Sequence, residues 1–263
     1  MPAPVLDKDA HVQSVARALD LLEALNRQKV ASIKQLHETT GLPKPTIVRL
    51  LKTLTARGYV ANDQRQGGYS VTSLVRALSC GFHGDPLVVE AGRAWAIDLT
   101  QRFKWPVAIA VLDEDAVTVR FSTIPDSPIS PFQGTVGRRL SLVSRALGRA
   151  YLAFCPTAER NILLQILAAS KDPENAPARR PPALLRNLQS MRSQGYAERD
   201  PNVEPKSSST LAVPVMDGDR VLATLGLTYF TSAMKRSKAV ELYVPHLRSA
   251  AENIARSIDS LGG

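Results

Sequence analysis

The sequence is poor in the residues from which most catalytic and metal centres are built. Its two cysteines, Cys80 and Cys155, lie far apart with no CxxC spacing, so neither a disulfide framework nor a structural zinc site is indicated. Both read as buried free thiols. The four histidines, His11, His37, His83 and His246, fall in no HExxH or HxH arrangement. Neither a GxSxG elbow nor a GxxxxGK[ST] phosphate loop occurs. These gaps argue against an enzyme, and neither a cofactor nor a metal is expected. The consecutive acids Asp113, Glu114 and Asp115 fall at a predicted hairpin turn and read as a solvated turn rather than a metal cluster. No apolar run reaches the roughly 18 residues that a membrane helix requires, and the opening stretch lacks the apolar core of a signal peptide. The expectation is a cytoplasmic protein with no membrane partner.

What the chain does have is an ordinary globular composition, 44% hydrophobic and 22% charged, in 263 residues. That length favours two domains, each with its own core. The formal net charge is +9, and it is denser at the front: residues 1–80 hold 11 Lys and Arg against 6 Asp and Glu. A basic surplus suits nucleic acid or an anionic surface but decides nothing alone.

The apolar residues Val12, Val15, Leu19, Leu22 and Leu25 fall at helical spacing, which predicts one buried stripe on a first helix. A second helix fits 32–40, with Ser32 as N-cap, Ile33 and Leu36 pointing inward and Gly41 as terminator. A third begins near Pro43, since proline is tolerated in a first helical turn. In it Ile47, Leu50, Leu51 and Leu54 form one apolar stripe, while Pro45, Arg49, Lys52 and Ala56 point the opposite way, flanked by Thr46 and Thr53. Between residues 44 and 57 there are four basic residues and no acidic one. Such a face suits phosphates and base edges in the major groove, and a merely solvated cationic helix is the plain alternative. Two helices joined through a glycine turn decide between them, because that is the helix-turn-helix unit. Immediately afterwards YVAND, QRQGG and YSVT read as a hairpin wing with Arg65 at its tip, within reach of the DNA backbone or a narrow minor groove.

The stretches SVARALDLLEAL, IKQLHETTGLPKPTIVRLLKTLTARGYV and GGYSVTSLV together resemble the DNA-binding domain of the IclR family of bacterial regulators. The resemblance makes the third helix the recognition helix and gives Thr46, Arg49 and Lys52 base- and phosphate-contact roles. The expected DNA-contacting set is Ser32, Lys44, Pro45, Thr46, Arg49, Lys52 and Arg65. The expected domains are a winged helix-turn-helix over 1–72, a linker helix over 73–85 and an effector-binding and oligomerisation domain over 86–263.

Within that second domain VAIAVLD and AVTVRFS predict one hairpin, and TLAVPVMD and RVLATLGLTYF another. Helical stretches fall at 144–154, 158–169, 183–194 and 237–261, the last interrupted or kinked by Pro245. The proline-rich segment 173–182 reads as a flexible surface connection. Strand pairs alternating with blocks of helix indicate an α+β fold around a central antiparallel sheet.

This half also resembles the IclR family, whose effector domain is GAF-like. The resemblance implies a ligand pocket closed on one side by Gly137 and the segment 140–148, and on the other by Asp200, Thr210, Gly226 and Thr228. The expected effector-binding set is Gly137, Arg139, Leu140, Leu142, Ser144, Ala146, Asp200, Thr210, Gly226 and Thr228. Better known relatives carry a cysteine where Thr210 stands and a serine where Gly226 stands, which implies fewer donors and more room, against a small oxo-acid as ligand. The segments WPVAIAVLD, VGRRLSLV and LAFCP resemble the MhpR-type activators of aromatic-acid breakdown. Arg138, Arg139, Arg145 and Arg149 invite a carboxylate clamp, with surface or interface cations as the open alternative.

The expected function is a sequence-specific transcriptional regulator that answers a small organic acid, expected to be aromatic, and controls a catabolic operon. Its expected partners are a palindromic double-stranded DNA operator, the acid effector, a second copy or a tetramer, and RNA polymerase. The alternatives are a regulator of the same fold responding to a small oxo-acid, and an architectural DNA binder without a ligand, which would leave the second domain unexplained.

Overall fold

The structure, a computed structural model, describes residues 12–63, 67–79, 86–130 and 134–259. The chain divides into two compact units, Met1–His83 and Gly84–Gly263.

In the first unit α1 (Gln13–Asn26), α2 (Ile33–Thr40) and α3 (Lys44–Ala56) precede the antiparallel pair β1 (Val60–Asp63) and β2 (Gly68–Val71). Ser32 starts α2 through a capping box: its Oγ accepts the Gln35 amide, and the Gln35 side chain accepts the Ser32 amide at 2.8 Å. Gly41 ends α2 in the left-handed region, φ 69°. The core is Leu21, Leu25, Leu36, Ile47 and Leu51, all essentially inaccessible, closed by Val60 from the wing. Each such side chain contributes roughly 1.5–3 kcal/mol of burial. A mutual pair of hydrogen bonds between Ala31 and Tyr69, both 2.9 Å, stitches the α1–α2 connection onto β2. Gly68 permits this approach, since a Cβ there would lie 2.6 Å from Val30 Cγ1 and 2.8 Å from the Ala31 carbonyl oxygen.

The buried stripe expected on α1 is corrected. Val12, Val15 and Leu19 are 68%, 55% and 56% exposed, and the buried face is Leu21, Ala24 and Leu25. So small a core reaches only the C-terminal half of α1. After β2, Thr72 Oγ1 donates to the Gly58 carbonyl (2.6 Å) and accepts from the Leu74 amide (3.2 Å). The segment that follows, Ser73–Ser79, within the expected linker helix, is a 3₁₀ helix with Leu74 and Leu78 exposed.

The second unit is a six-stranded antiparallel sheet with helices on both faces. Its elements are α4 (Leu87–Phe103), β3 (Val107–Asp113), β4 (Ala116–Ser122), β5 (Arg139–Ser141), α5 (Ala146–Phe154), α6 (Thr157–Ala169), α7 (Pro181–Gln194), β6 (Ala197–Glu198), β7 (Ser208–Asp217), β8 (Arg220–Phe230) and α8 (Arg236–Asp259). The strand order is β5-β4-β3-β8-β7-β6. Alternation along the strands feeds two cores. Ile109, Leu211, Val213, Leu225 and Leu227 pack against α4 and α8, whereas Ala110 and Ala212 face α5, α6 and α7. Gly148 lets α5 close onto the end of β5: a Cβ there would sit 2.2 Å from the Ser141 carbonyl oxygen and 2.7 Å from Leu142 Cα.

Two further expectations give way. Of the interruption or kink expected at Pro245, the interruption does not occur: helix α8 continues through it, with Tyr243, Val244, Leu247 and Ala251 buried along its face. The segment expected to be a flexible connection forms a 3₁₀ turn, Pro173–Arg179, with Asn175 and Ala178 buried, and Pro181 opens α7. Asp172 caps that turn by accepting the Glu174 amide at 2.8 Å.

Candidate functional site

The first candidate surface is the outer face of α3. Ile47 and Leu51 anchor the helix inward, which turns Lys44, Pro45, Arg49 and Lys52 out to solvent, with Thr46 half-buried beside them. Among the described residues neither Arg49 nor Lys52 has an acidic partner, in contrast to Arg27 and Lys34, each paired with a glutamate one turn away. Unneutralised cations on a protruding helix after a tight turn can occupy a major groove and pair with phosphates. Ser32 lies at the start of α2, where its hydroxyl serves as the helix cap. Arg65 lies outside the described residues.

The second candidate site is a cavity of about 70 Å³ in the C-terminal unit. Strands β3, β4, β7 and β8 and the first turn of α5 form its walls. Val119, Ile124, Leu140 and Leu147 supply an apolar surface. Opposite them Thr210 and Thr228 are register partners on β7 and β8, their hydroxyls 2.9 Å apart.

Three arginines, Arg138, Arg145 and Arg199, complete the lining. Arg145 is held as a fork against Glu174: Nε donates to Oε2 at 2.9 Å, Nη2 donates to Oε1, and Nη1 reaches the Glu204 carbonyl at 2.9 Å. That fork, helped by a hydrogen bond from Ser144, holds the Glu174 carboxyl below the usual carboxylate range although burial pulls the other way. Arg199 donates to the Pro205 carbonyl at 2.6 Å. Burial lowers its pKa, the neighbouring charges of Arg145 and Arg138 add to that, and Glu204 opposes them. Three guanidinium groups, Arg138, Arg145 and Arg199, line the chamber, with the Glu174 carboxylate bound to Arg145 and the charge of Glu204 felt at Arg199.

Leu140, Ala146, Thr210 and Thr228 line the cavity, Gly226 lies directly behind its lining residue Leu147, and the remaining expected effector contacts make other interactions. Gly137 forms the turn before β5, at φ 79°, donating to the Val119 carbonyl at 2.8 Å. Arg139 turns outward to Asp113 (2.7 Å) and Asp115 (2.6 Å), so the acidic turn is ion-paired rather than simply solvated. A hydrogen bond from Thr118, then Arg139, holds the Asp113 carboxyl down. Leu142 is fully buried in the core, and Ser144 donates to Glu174 at 2.6 Å. Asp200 donates its amide to the Ser144 carbonyl and accepts the Asn202 amide on its carboxylate, both at 2.9 Å. Arg149, one turn beyond Arg145, lies away from this cavity and donates to the Glu198 carbonyl.

Gly226 corrects the inference of extra room. A Cβ there would lie 2.9 Å from Leu147 Cδ2 and 3.3 Å from the Leu211 carbonyl oxygen. The space that a serine side chain would fill is taken by Leu147.

Residues 14–64 match the IclR helix-turn-helix domain, and residues 88–256 match the C-terminal domain of the bacterial transcriptional regulator IclR. The chain belongs to the IclR family. It is a DNA-binding transcriptional regulator and not an enzyme. It is similar to the HTH-type transcriptional regulator KdgR of Escherichia coli (strain K12), 28% identical over 252 residues that span 95% of this chain and 94% of that protein. The fold matches that of Thermotoga maritima IclR with a TM-score of 0.63 at 20% identity, covering 94% of this chain and 99% of the other. It also matches an IclR homolog from Microbacterium hydrocarbonoxydans complexed with 4-hydroxybenzoate, TM-score 0.58 at 20% identity, covering 94% of this chain and 99% of that one.

For this IclR-family chain, sequence reasoning missed Glu174 and Arg199. Glu174 sits in the segment expected to be a loose connection, although Asp172-Pro173-Glu174 carries the signature of a capped turn. Arg199 had no periodic pattern to mark it, because only tertiary packing brings it beside Arg145. No helix among the described residues is long and apolar enough to cross a membrane, and the described residues hold no cluster of three or more metal-ligating side chains.

Proposed function

We propose that the cavity under α5 is the effector site, that its ligand is a small aromatic carboxylic acid, and that occupancy alters how paired α3 helices read a palindromic operator. The single observation that carries this reading is the chamber itself: Arg138, Arg145 and Arg199 beside the Thr210–Thr228 hydroxyl pair, facing an apolar wall. Guanidinium groups receive a carboxylate, threonine hydroxyls orient a ring substituent, and Val119, Ile124 and Leu147 accept the ring face. The 4-hydroxybenzoate complex of a protein with the same fold supports the aromatic class, in line with the resemblance to MhpR-type activators. A compact oxo-acid is the second reading, favoured by the cavity's volume of about 70 Å³ and by Leu147 occupying the space beside Gly226.

On the DNA side the proposal assigns base and phosphate contacts to Lys44, Pro45, Thr46, Arg49 and Lys52, with 1–72 as the reading head, 73–85 as the link and 86–263 as the sensing part. The regulator acts as a homodimer or a dimer of dimers, supported by the exposed apolar residues Val12, Val15, Leu19, Leu74 and Leu78. The energy available to the switch equals the ligand's differential affinity for the two arrangements of the assembly. Thermal-shift titration of the full chain with 4-hydroxybenzoate, a phenylpropanoid acid and pyruvate is the test. Stabilisation by the aromatic acids that disappears in Thr210→Val supports the reading, and stabilisation by pyruvate alone selects the oxo-acid.

A further inference from the structure

Helix α3 enters from its turn without a cap of its own. Pro43 stands at the N-cap position, makes no side-chain cap, and like Pro45 has no amide with which the entry could be tied. What holds the entry is the end of α2. Gly41 reverses the chain at φ 69° and donates its amide to the His37 carbonyl at 2.9 Å. Leu42 then places its side chain in the core and leaves both of its backbone polar groups to side chains of α2. Thr40 Oγ1 accepts the Leu42 amide at 3.2 Å while donating to the Leu36 carbonyl at 2.6 Å.

The Leu42 carbonyl is taken by His37, whose Nδ1 lies 2.8 Å from the oxygen. A carbonyl can only accept, so Nδ1 carries the proton of this bond. No other donor among the described residues reaches that carbonyl. His37 is exposed on α2, so neither packing nor helix formation demands an imidazole there. The carbonyl belongs to the planar peptide that joins Leu42 to Pro43, and the proline ring fixes the next torsion, φ −57°. Holding that peptide plane therefore sets the direction in which α3 departs.

We propose that His37 is a positioning residue for sequence reading: by donating Nδ1–H to the Leu42 carbonyl it fixes the departure of α3, and with it the placement of Arg49 and Lys52 against base edges. The inference rests on α3 as the DNA-reading helix of the proposed function. Base-edge hydrogen bonds tolerate little displacement, whereas long cationic side chains follow a phosphate through small shifts. Loss of the bond should therefore weaken binding to a chosen sequence and spare binding to DNA at large.

The test uses fluorescence anisotropy of the full chain on two duplexes, one enriched by the wild type from a random-sequence pool and one a scramble of it. The variants are His37→Ala, His37→Gln, His37→Asn and the double substitution Arg49→Ala with Lys52→Ala, each checked for folding by its melting curve. Asn carries its amide nitrogen as many bonds from the backbone as Nδ1, and Gln carries its own where Nε2 lies, so only Asn can restore the bond. Helix propensity alone ranks Ala and Gln above Asn, the opposite order. On the enriched duplex we expect His37→Ala and His37→Gln to bind roughly fivefold to tenfold more weakly and His37→Asn to stay within about twofold of the wild type. On the scramble all three should stay within about twofold of it. Should His37→Ala fail to fold, His37→Gln against His37→Asn carries the comparison.

The proposal is overturned by wild-type affinity in His37→Gln, by His37→Asn as weak as His37→Gln, or by equal losses on both duplexes. Wild-type affinity in the Arg49 and Lys52 double variant, or no sequence enriched by the wild type, overturns the reading of α3 itself. Weak binding by that double variant beside unchanged His37 variants removes the role of His37 alone.

Discussion

Thr210 and Thr228 stand directly opposite one another on neighbouring strands, and each hydroxyl is the other's partner at 2.9 Å. One hydroxyl donates to the other, which leaves the second O–H free to meet a ligand in the proposed effector reading. Thr210→Val removes one hydroxyl and leaves Thr228 without its cross-strand partner. We expect stability to fall by about 1 kcal/mol and affinity for the aromatic acid to fall roughly tenfold, read by thermal melting and by titration. Undiminished affinity in the folded variant would remove the pair from the ligand site.

Arg49 and Lys52 project from α3 with no acid among the described residues to neutralise them. The double substitution to alanine should weaken operator binding and flatten the plot of log affinity against log salt by roughly 0.9 for each phosphate no longer neutralised. Fluorescence anisotropy on a duplex carrying the operator measures both quantities. Binding and slope equal to the wild type would contradict the groove assignment.

Introducing Ser at Gly226 places an atom 2.9 Å from Leu147 Cδ2, within a layer closed behind by the Leu211 backbone. Overpacking of this kind costs about 1–3 kcal/mol, and the melting temperature should drop accordingly. Relief requires Leu147 to swing into the cavity that it lines, so affinity for the acid should decline in parallel. A melting temperature matching the wild type would mean that the contact is far softer than the geometry indicates.

The depressed carboxyl of Glu174, held down first by Arg145, makes part of the stability pH-dependent. A group with a folded pKa below its unfolded value contributes in full above the ordinary 4.5 and loses that contribution as pH falls through the folded value. Melting curves taken between about pH 7 and about pH 3 should therefore fall more steeply for the wild type than for Glu174→Gln, which has no proton to gain there. Parallel curves would show that Glu174 carries none of the acid sensitivity.

Ser32 accepts the Gln35 amide in the capping box of α2. Ser32→Ala should cost about 1 kcal/mol and lower DNA affinity only as far as it lowers the folded fraction. A loss of affinity beyond that fraction, in protein shown to be folded, would mark the hydroxyl as a direct DNA contact.

The hairpins β3–β4 and β7–β8 were legible because alternation of β-branched residues states both the strand and its buried face, and Asp-Gly at 217–218 marks a turn. Helix α3 was legible for a similar reason, since Ile47 and Leu51 assign the inside and leave Arg49 and Lys52 no other side. The α1 stripe misled because periodicity reports an apolar face without saying how far a core extends along it, and Leu19 lies beyond that limit. The candidate cavity was only half legible. Thr210 and Thr228 follow from strand pairing, but the turn of Arg199 toward the Pro205 carbonyl and of Arg139 toward Asp113 and Asp115 depends on tertiary packing, and no local pattern encodes that.

At Gly148 the backbone of α5 rests against Ser141 and Leu142 with no room for even a methyl group. Helix and strand end are therefore fused mechanically at this point, and Arg145, Ala146 and Leu147 travel with both. A molecule entering beneath them cannot lift the helix alone. In the proposed effector reading it would have to displace the β5 edge together with the helix, because the two backbones touch at Gly148.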